Sequence, residues 1–159
     1  MKKGDSYMIK LKTPEKMRCS LNVGYQICDT QSEIFELAGD IGFDDDDFIK
    51  KYMTSDFCHR EMDAMHSWFH LADAQDAMDY ILKEITPKKN SLHYDPDAIK
   101  WIGWMYKYLQ LRFEIPSKEL YQRLPLKDML NYYEGMHTQD EEFFVNVLNE
   151  NQNFWRKIS

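Results

Sequence analysis

Histidines and carboxylates are the side chains of this chain whose types and spacing could do chemistry. His66 and His70 lie four residues apart, so a helix would place both on one face, where two imidazoles can bind a metal ion. The helical zinc-protease motif also requires a glutamate directly after the first histidine, and this position is Ser67. Glu134 and His137 have the Glu-x-x-His spacing of di-metal carboxylate proteins, but the glycine and cap residues around them place this pair at a helix end.

These residues give one hypothesis, a small enzyme or metal-binding helical protein whose site draws on Glu134 and His137, or on Asp63 with His66 and His70. The simpler explanation of the same histidines is that they are solvated or packed, and we assign no metal site to them. Nucleophile candidates are equally few: Cys58 directly precedes His59, but neighbours in sequence point about 100° apart on a helix.

The remaining motifs of catalysis are missing from the sequence. It contains no Gly-x-Ser-x-Gly, Walker A or Rossmann glycine pattern. Its three cysteines are an odd number without a Cys-x-x-Cys pair, which favours reduced thiols over a disulfide framework. We therefore assign no catalytic residue and no cofactor.

Acidic residues form the clearest functional pattern. The run from Asp44 to Asp47 lacks the spaced ligands of an EF-hand, and capping of a helix by Asp44 explains much of it. The alternative is that these acids join others upstream in a patch that attracts a basic partner, together with exposed aromatic side chains. The residues assigned to this partner surface are Asp29, Glu33, Glu36, Asp40, Asp44, Asp45, Asp46, Tyr132, Tyr133 and His137.

Charge and composition support a binding function. The 159 residues carry a net charge of −7, which disfavours non-specific binding to nucleic acid. Residues 1–18 hold six basic and two acidic side chains, whereas residues 29–79 hold fourteen acids and three basic residues. The 33 Met, Phe, Tyr and Trp residues are mostly expected in the core, with some, such as Trp68 or Trp155, exposed at an interface.

Hydrophobic periodicity predicts an all-α bundle of about seven helices in one domain, residues 20–159, with lobes at about 20–87 and 92–159. Residues 1–19 are expected to be a basic arm or to contain a short strand. Capping boxes at Thr30 and Thr138 predict two helix starts, and Asp95 with Pro96 opens the longest helix. Gly103 in that helix is expected to allow a close helix–helix contact.

Three segments carry a resemblance to known proteins: YQICDTQSEIF (residues 25–35), FIKKYMTSD (48–56) and MLNYYEGMHT (129–138). They resemble a group of small uncharacterised all-α proteins of gut Firmicutes, encoded near ADP-ribosyltransferase-like toxins. The likeness covers about residues 20–150, and the basic arm departs from it. The resemblance implies an antitoxin-like or accessory role and supplies no catalytic residues.

These observations together predict a cytoplasmic, non-catalytic interaction protein that binds and masks another enzyme, with an ADP-ribosyltransferase-like toxin as the partner that the resemblance implies. No stretch reaches the roughly 18–20 apolar residues of a membrane span, so we expect no membrane partner. The carboxylate and histidine site is the alternative. A regulator that binds DNA through the basic arm is a weaker third hypothesis.

Overall fold

The computed structural model describes residues 20–156 and confirms the all-α class, since these residues contain helices and no strand. The predicted basic arm at residues 1–19, with its possible strand, lies outside the described residues. A π-helix (Cys58–Met62) and a 3₁₀-helix (Trp68–Leu71) lie between α2 and α3. The α-helices are α1 (Leu21–Ile41), α2 (Asp45–Met53), α3 (Ala74–Glu84), α4 (Pro96–Phe113), α5 (Ser117–Arg123), α6 (Leu126–Met136), α7 (Glu141–Asn149) and α8 (Gln152–Arg156).

The first helix begins ten residues earlier than the capping box at Thr30 predicts, so that prediction is wrong. Ser20 is the N-cap, and its side chain accepts a hydrogen bond from the Val23 backbone N–H at 3.2 Å. Thr30 lies inside α1 because its hydroxyl finds acceptors there, the carbonyl oxygens of Gln26 at 3.1 Å and of His70 at 2.7 Å. Because these hydrogen bonds satisfy its hydroxyl, Thr30 is accommodated inside the helix and does not act as an N-cap.

The predicted caps of α2 and α4 agree with the structure, whereas the predicted cap of α7 does not. Asp44 caps α2 and Asp95 caps α4, as predicted, and α1 ends at Gly42, which has a φ of 102° that glycine adopts without strain. The predicted cap at Thr138 is wrong, because Asp140 caps α7 and accepts a hydrogen bond from the Glu142 N–H at 2.7 Å.

The long helix α4 is the centre of the bundle. It packs most extensively on α1, with α5, α6 and α7 around its other sides. Two apolar stripes run along it: one contains the buried Tyr106 and Leu109, and the other contains the buried Met105 and Tyr108 together with the half-buried Trp101 and Trp104. The helix is therefore apolar on two sides because it separates two layers of neighbouring helices.

Gly103 lies at a close contact between α1 and α4, which confirms its predicted role. A Cβ atom built at this position would lie 2.9 Å from Cγ of Phe35 and 3.1 Å from the carbonyl oxygen of Gln31. The two predicted lobes share one core, because a single cluster of buried side chains includes Ile34 and Phe48 from the first half and Leu109 and Phe144 from the second.

The two tryptophans expected to be exposed differ in their exposure. Trp68 is 67% exposed, as expected for an interface aromatic, but Trp155 is only 5% exposed because it packs against Phe113 and Phe154. Within residues 20–156, no helix combines the length and the apolar character needed to cross a membrane.

Candidate functional site

Four of the predicted partner-binding acids lie in a row on α1. Asp29, Glu33, Glu36 and Asp40 are all exposed, and their spacings of four, three and four residues place them on one helix face. At 1.5 Å rise per residue the row extends for about 16 Å. We call these four side chains the acidic ridge.

Aromatic side chains of α4 border the acidic ridge. The indole Nε1 of Trp104 donates a hydrogen bond to Oδ1 of Asp29 at 2.9 Å. The Trp104 ring stacks on Tyr108, with centroids 5.3 Å apart, and lies 5.6 Å from the ring of Tyr25. Lys100 lies beside the ridge, with Nζ 3.6 Å from Oε2 of Glu36. The acids therefore adjoin a half-buried aromatic row.

This aromatic row continues to the predicted residues of α6. Trp101 is three residues before Trp104 on α4, and its ring contacts Tyr133 at a centroid distance of 5.6 Å. Tyr133 stacks on His137 at 4.2 Å, and the His137 Nδ1 lies 2.6 Å from the Tyr133 carbonyl oxygen. Tyr132 is half-buried and packs beside them on Phe144. We call the acidic ridge with Trp101, Trp104, Tyr133 and His137 the acid–aromatic face.

The charges at the α7 end of this face are fixed by hydrogen bonds. The hydroxyl of Tyr25 donates to Glu141, and this bond together with burial raises the pKa of Tyr25 to about 12. Glu142 accepts hydrogen bonds from Arg112 Nε and Nη2, both at 2.8 Å, and from the Tyr108 hydroxyl. Burial opposes ionisation of Glu142, but these donors outweigh it and lower the pKa of its carboxyl.

The acids of α2 are engaged with the loop before α4. Asp44 accepts a hydrogen bond from Asn90 Nδ2 at 2.8 Å, which together with the Asp47 N–H lowers the pKa of its carboxyl. Asp47 accepts from the Lys88 N–H at 2.7 Å. These bonds hold residues 88–90 against the first turn of α2.

Asp45 and Asp46 also hold the loop against α2, because both accept hydrogen bonds from Tyr94. Asp45 is 6% exposed and accepts a hydrogen bond from the Tyr94 N–H at 2.8 Å, while burial raises the pKa of its carboxyl. Asp46 accepts from the Tyr94 hydroxyl at 2.9 Å. Asp45 and Tyr94 line a shallow pocket with Glu36 and Asp40, so this loop adjoins the acidic ridge. The predicted set thus divides into an exposed ridge and a group of acids that bond to the loop.

Apart from the acid–aromatic face, the structure contains a buried ion pair that the sequence patterns did not predict. Lys107 has no solvent exposure, and its Nζ donates to the Met62 carbonyl at 2.9 Å, to Asp63 Oδ1 at 3.1 Å and to Gln110 Oε1 at 3.2 Å. Asp63 also accepts from the backbone N–H of Ser117 at 2.8 Å and from its hydroxyl at 2.6 Å. All three protons of the ammonium group are therefore used.

A cleft of about 200 Å³ opens beside this ion pair, at the end of α4. Asp63 and Gln110 line it, and Glu114, which ends α4, lies at its edge with a φ of 53°. Glu114 is the single non-glycine residue with positive φ in the 20–156 range. The π-helix Cys58–Met62 precedes Asp63, and irregular turns of this kind are common at functional sites. We call this space the α4-end cleft.

His59 lines the α4-end cleft, but Cys58, His66 and His70 do not. Cys58 is fully buried, and burial raises the pKa of its thiol to about 12, so it stays protonated at neutral pH. His70 is buried with Nε2 2.9 Å from the Glu61 carbonyl oxygen, and burial lowers its pKa. His66 is exposed. In the part of the chain that the structure describes, no three His, Cys, Asp or Glu side chains are grouped to hold a metal ion.

One sequence signal could have revealed the buried pair. Lys107 is the only charged residue between Lys100 and Arg112, in a helix whose neighbouring positions are apolar on two sides. A charge in such a position must be buried with a partner. Its partner, 44 residues earlier in the chain, has no spacing that identifies it.

Comparison of the chain with protein-family models, with curated proteins and with solved structures finds no match. The fold and the two regions above therefore define the molecule as an all-α bundle with an exposed acid–aromatic face and a small cleft over a buried ion pair.

Proposed function

We propose that this protein binds a basic surface of another protein through the acid–aromatic face and catalyses no reaction itself. The observation that supports this most directly is the hydrogen bond between Trp104 and Asp29, which joins the acidic ridge to the aromatic row. Interfaces between proteins are enriched in aromatic side chains, and complementary charge guides the encounter of the partners.

The partner that we propose is an ADP-ribosyltransferase-like toxin, and the resemblance of the three sequence segments supports this choice. An enzyme that binds NAD must admit a dinucleotide phosphate, so its cleft is often basic. A row of four carboxylates about 16 Å long can compete for such a cleft. The protein would then act in the manner of an antitoxin, by covering the active site of its partner.

The experiment is co-expression and affinity measurement with the product of the gene that neighbours the gene for this chain. The test variant is Glu33→Gln/Glu36→Gln/Asp40→Asn, which neutralises three exposed acids of the ridge. At about 0.5 kcal/mol for each surface charge, the triple variant should bind about tenfold more weakly. Wild-type affinity should also fall as the salt concentration rises, because salt screens exposed charges.

The matched control is Asp76→Asn/Asp79→Asn/Glu150→Gln, which removes three exposed acids from other parts of the surface. The control changes the net charge equally, so it should keep wild-type affinity to within about twofold if the location of the charge matters. Absence of a complex at low salt contradicts the proposal. An equal loss of affinity in both triple variants contradicts the role of the ridge.

A further inference from the structure

We propose that residues 1–18 of this chain bind, within the same molecule, to an exposed apolar patch formed by the 3₁₀-helix and by α3. The patch consists of three side chains with large exposed fractions, Trp68 at 67%, Leu71 at 65% and Tyr80 at 51%. Side chains three residues apart eclipse each other in a 3₁₀-helix, so Trp68 and Leu71 lie on one side of it. We call these three side chains the apolar patch. The proposal does not depend on the acid–aromatic face.

The apolar patch rests on a packed base. The half-buried Phe69 ring contacts the rings of Trp68 and Tyr80, at centroid distances of 5.1 Å and 4.9 Å. The carbonyl oxygen of His70 accepts a hydrogen bond from the Thr30 hydroxyl at 2.7 Å, which attaches the 3₁₀-helix to α1. A ligand therefore meets side chains that are already ordered, so binding loses little conformational entropy on this side.

Acidic side chains border the apolar patch on α3. Asp73 and Asp76 are exposed, and Asp76 lies one helical turn before Tyr80 on the same face. Within residues 20–156, neither carboxylate forms a hydrogen bond or an ion pair. The Tyr80 ring also attracts cations, since Nζ of Lys83 lies 4.3 Å from its centroid. A second copy of the patch would bring like charges together, whereas an apolar segment with basic side chains matches the surface.

Residues 1–18 have the composition that this surface requires. They carry six basic and two acidic side chains, which gives them a charge opposite to that of the acids on α3. Within them, the sequence YMIKLK (residues 7–12) places four apolar side chains beside two lysines. The apolar side chains would cover the patch, and the lysines would lie near the bordering carboxylates.

The chain before Ser20 is long enough to reach the apolar patch. Ser20 caps α1, and Thr30, which contacts the 3₁₀-helix, lies ten residues further along the chain. At 1.5 Å per residue this contact is about 15 Å from Ser20 along the helix. Residues 7–12 precede Ser20 by 8–13 positions, so at about 3.3 Å per residue they can extend about 26–43 Å from it. The tether also gives the segment an effective concentration in the millimolar range.

The acidic ridge is the competing surface for a basic segment. Its carboxylates are exposed, and ion pairs formed in contact with water contribute little to binding. The apolar patch adds the burial of apolar surface to the match in charge, and this burial is the larger source of attraction. We therefore assign the segment to the apolar patch, and the experiment below distinguishes the two surfaces.

The experiment places a nitroxide spin label on the segment and measures the NMR signals that it broadens in ¹⁵N-labelled full-length protein. The label is attached to the variant Gly4→Cys/Cys19→Ser. Cys28 and Cys58 are fully buried, so the reagent does not reach them. The same sample with a chemically reduced label serves as the reference.

The label should remove most of the intensity of the signals from the apolar patch, namely the indole signal of Trp68 and the amide signals of Leu71 and Tyr80. This loss should persist at high salt, because apolar contacts are not screened.

The test variant within the segment is Ile9→Asn/Leu11→Asn, which removes apolar side chains and keeps the charge. It should restore the signals of the apolar patch. Its matched control is Ser6→Asn/Thr13→Asn, which introduces the same two side chains at polar positions on either side. The control should leave the loss of intensity unchanged.

A second pair of variants changes the two candidate surfaces. Trp68→Ser/Leu71→Ser alters the apolar patch and should restore the amide signal of Tyr80. Glu33→Gln/Glu36→Gln alters the acidic ridge and should leave the loss of intensity unchanged. All four side chains are exposed, so neither variant removes a side chain from the core.

The proposal fails on any of three results. The first is undiminished signals of the apolar patch in the spin-labelled protein. The second is restoration of these signals by the acidic-ridge variant but not by Ile9→Asn/Leu11→Asn, which would show that the segment binds the acidic ridge through its charge. The third is an equal loss of intensity when unlabelled ¹⁵N protein is mixed with spin-labelled ¹⁴N protein, which would show that the segment binds a second copy of the chain.

Discussion

The close contact at Gly103 allows a quantitative test of the α1–α4 interface by the substitution Gly103→Ala. Alanine gains about 0.8–1.0 kcal/mol of helix propensity over glycine. The new Cβ would however lie 2.9 Å from Cγ of Phe35 and 3.1 Å from the Gln31 carbonyl oxygen. Both neighbours are held, since Phe35 packs edge-on against Tyr52, and the side-chain amide of Gln31 donates to the Gly103 carbonyl at 2.8 Å.

Overpacking of a close-packed core costs about 1–3 kcal/mol, so after the gain in propensity we expect Gly103→Ala to lower the free energy of unfolding by about 1 kcal/mol. The control is Gly135→Ala in α6, where a Cβ would meet nothing within 4 Å. This variant should be stabilised by up to about 1 kcal/mol. The two substitutions are chemically identical, so their difference isolates the interhelical contact.

The assay is urea denaturation followed by far-UV circular dichroism. With an m-value of about 2 kcal/mol/M, the midpoints of the two variants should differ by about 1 M, with Gly103→Ala the lower. If Gly103→Ala unfolds at the same or a higher urea concentration than Gly135→Ala, α1 and α4 do not pack as closely as described, and the explanation of Gly103 is wrong.

Two further predictions concern ion pairs. Lys107→Met leaves the buried Asp63 without its cation and should lower the free energy of unfolding by about 3 kcal/mol. The control Lys100→Met, at the surface, should change the free energy of unfolding by less than about 1 kcal/mol. Equal urea midpoints of the two variants would contradict the argument from burial. Because the folded-state pKa of Glu142 is lowered, the stability it contributes is present above its unfolded pKa and is lost as the pH falls through the folded value. Glu142→Gln should therefore have a lower Tm than the wild-type protein at pH 7. Below about pH 4.5 its Tm should fall less with pH than the wild-type Tm does. Calorimetry between pH 7 and pH 3 tests this prediction, and a parallel loss of stability in both proteins would refute it.

Features that depend on a few neighbouring residues could be predicted from the sequence. The caps at Asp44 and Asp95 and the end of α1 at Gly42 follow from backbone groups within one turn. Helical spacing alone places Glu33, Glu36 and Asp40 on one face, whereas Asp29 joins this row because α1 begins before the predicted cap. The helix start predicted at Thr30 is wrong because a threonine followed three residues later by a glutamate fits the capping pattern wherever it occurs. Here that pair lies in the interior of a helix that begins after Ser20.

Features built from distant residues could not be predicted. The contacts of Asp63 with Lys107 and Ser117 join positions 44 and 54 residues apart, and no periodicity connects them. The same holds for Asp45 and Asp46, whose hydrogen bonds to Tyr94 span 49 and 48 residues. Sequence reasoning assigned both acids to the partner surface; in the structure both also accept hydrogen bonds from Tyr94, with Asp45 buried and Asp46 exposed.

The attachment of the 88–94 loop to α2 has a consequence for the continuity of the chain. Ser91 and Leu92 are exposed, and hydrogen bonds on either side of them, at Asn90 and Tyr94, fasten the loop to Asp44 and Asp45. A backbone cut between Ser91 and Leu92 would leave both new ends anchored and the contact of α1 with α4 intact. We therefore expect fragments 1–91 and 92–159 to reassemble when they are made as separate polypeptides.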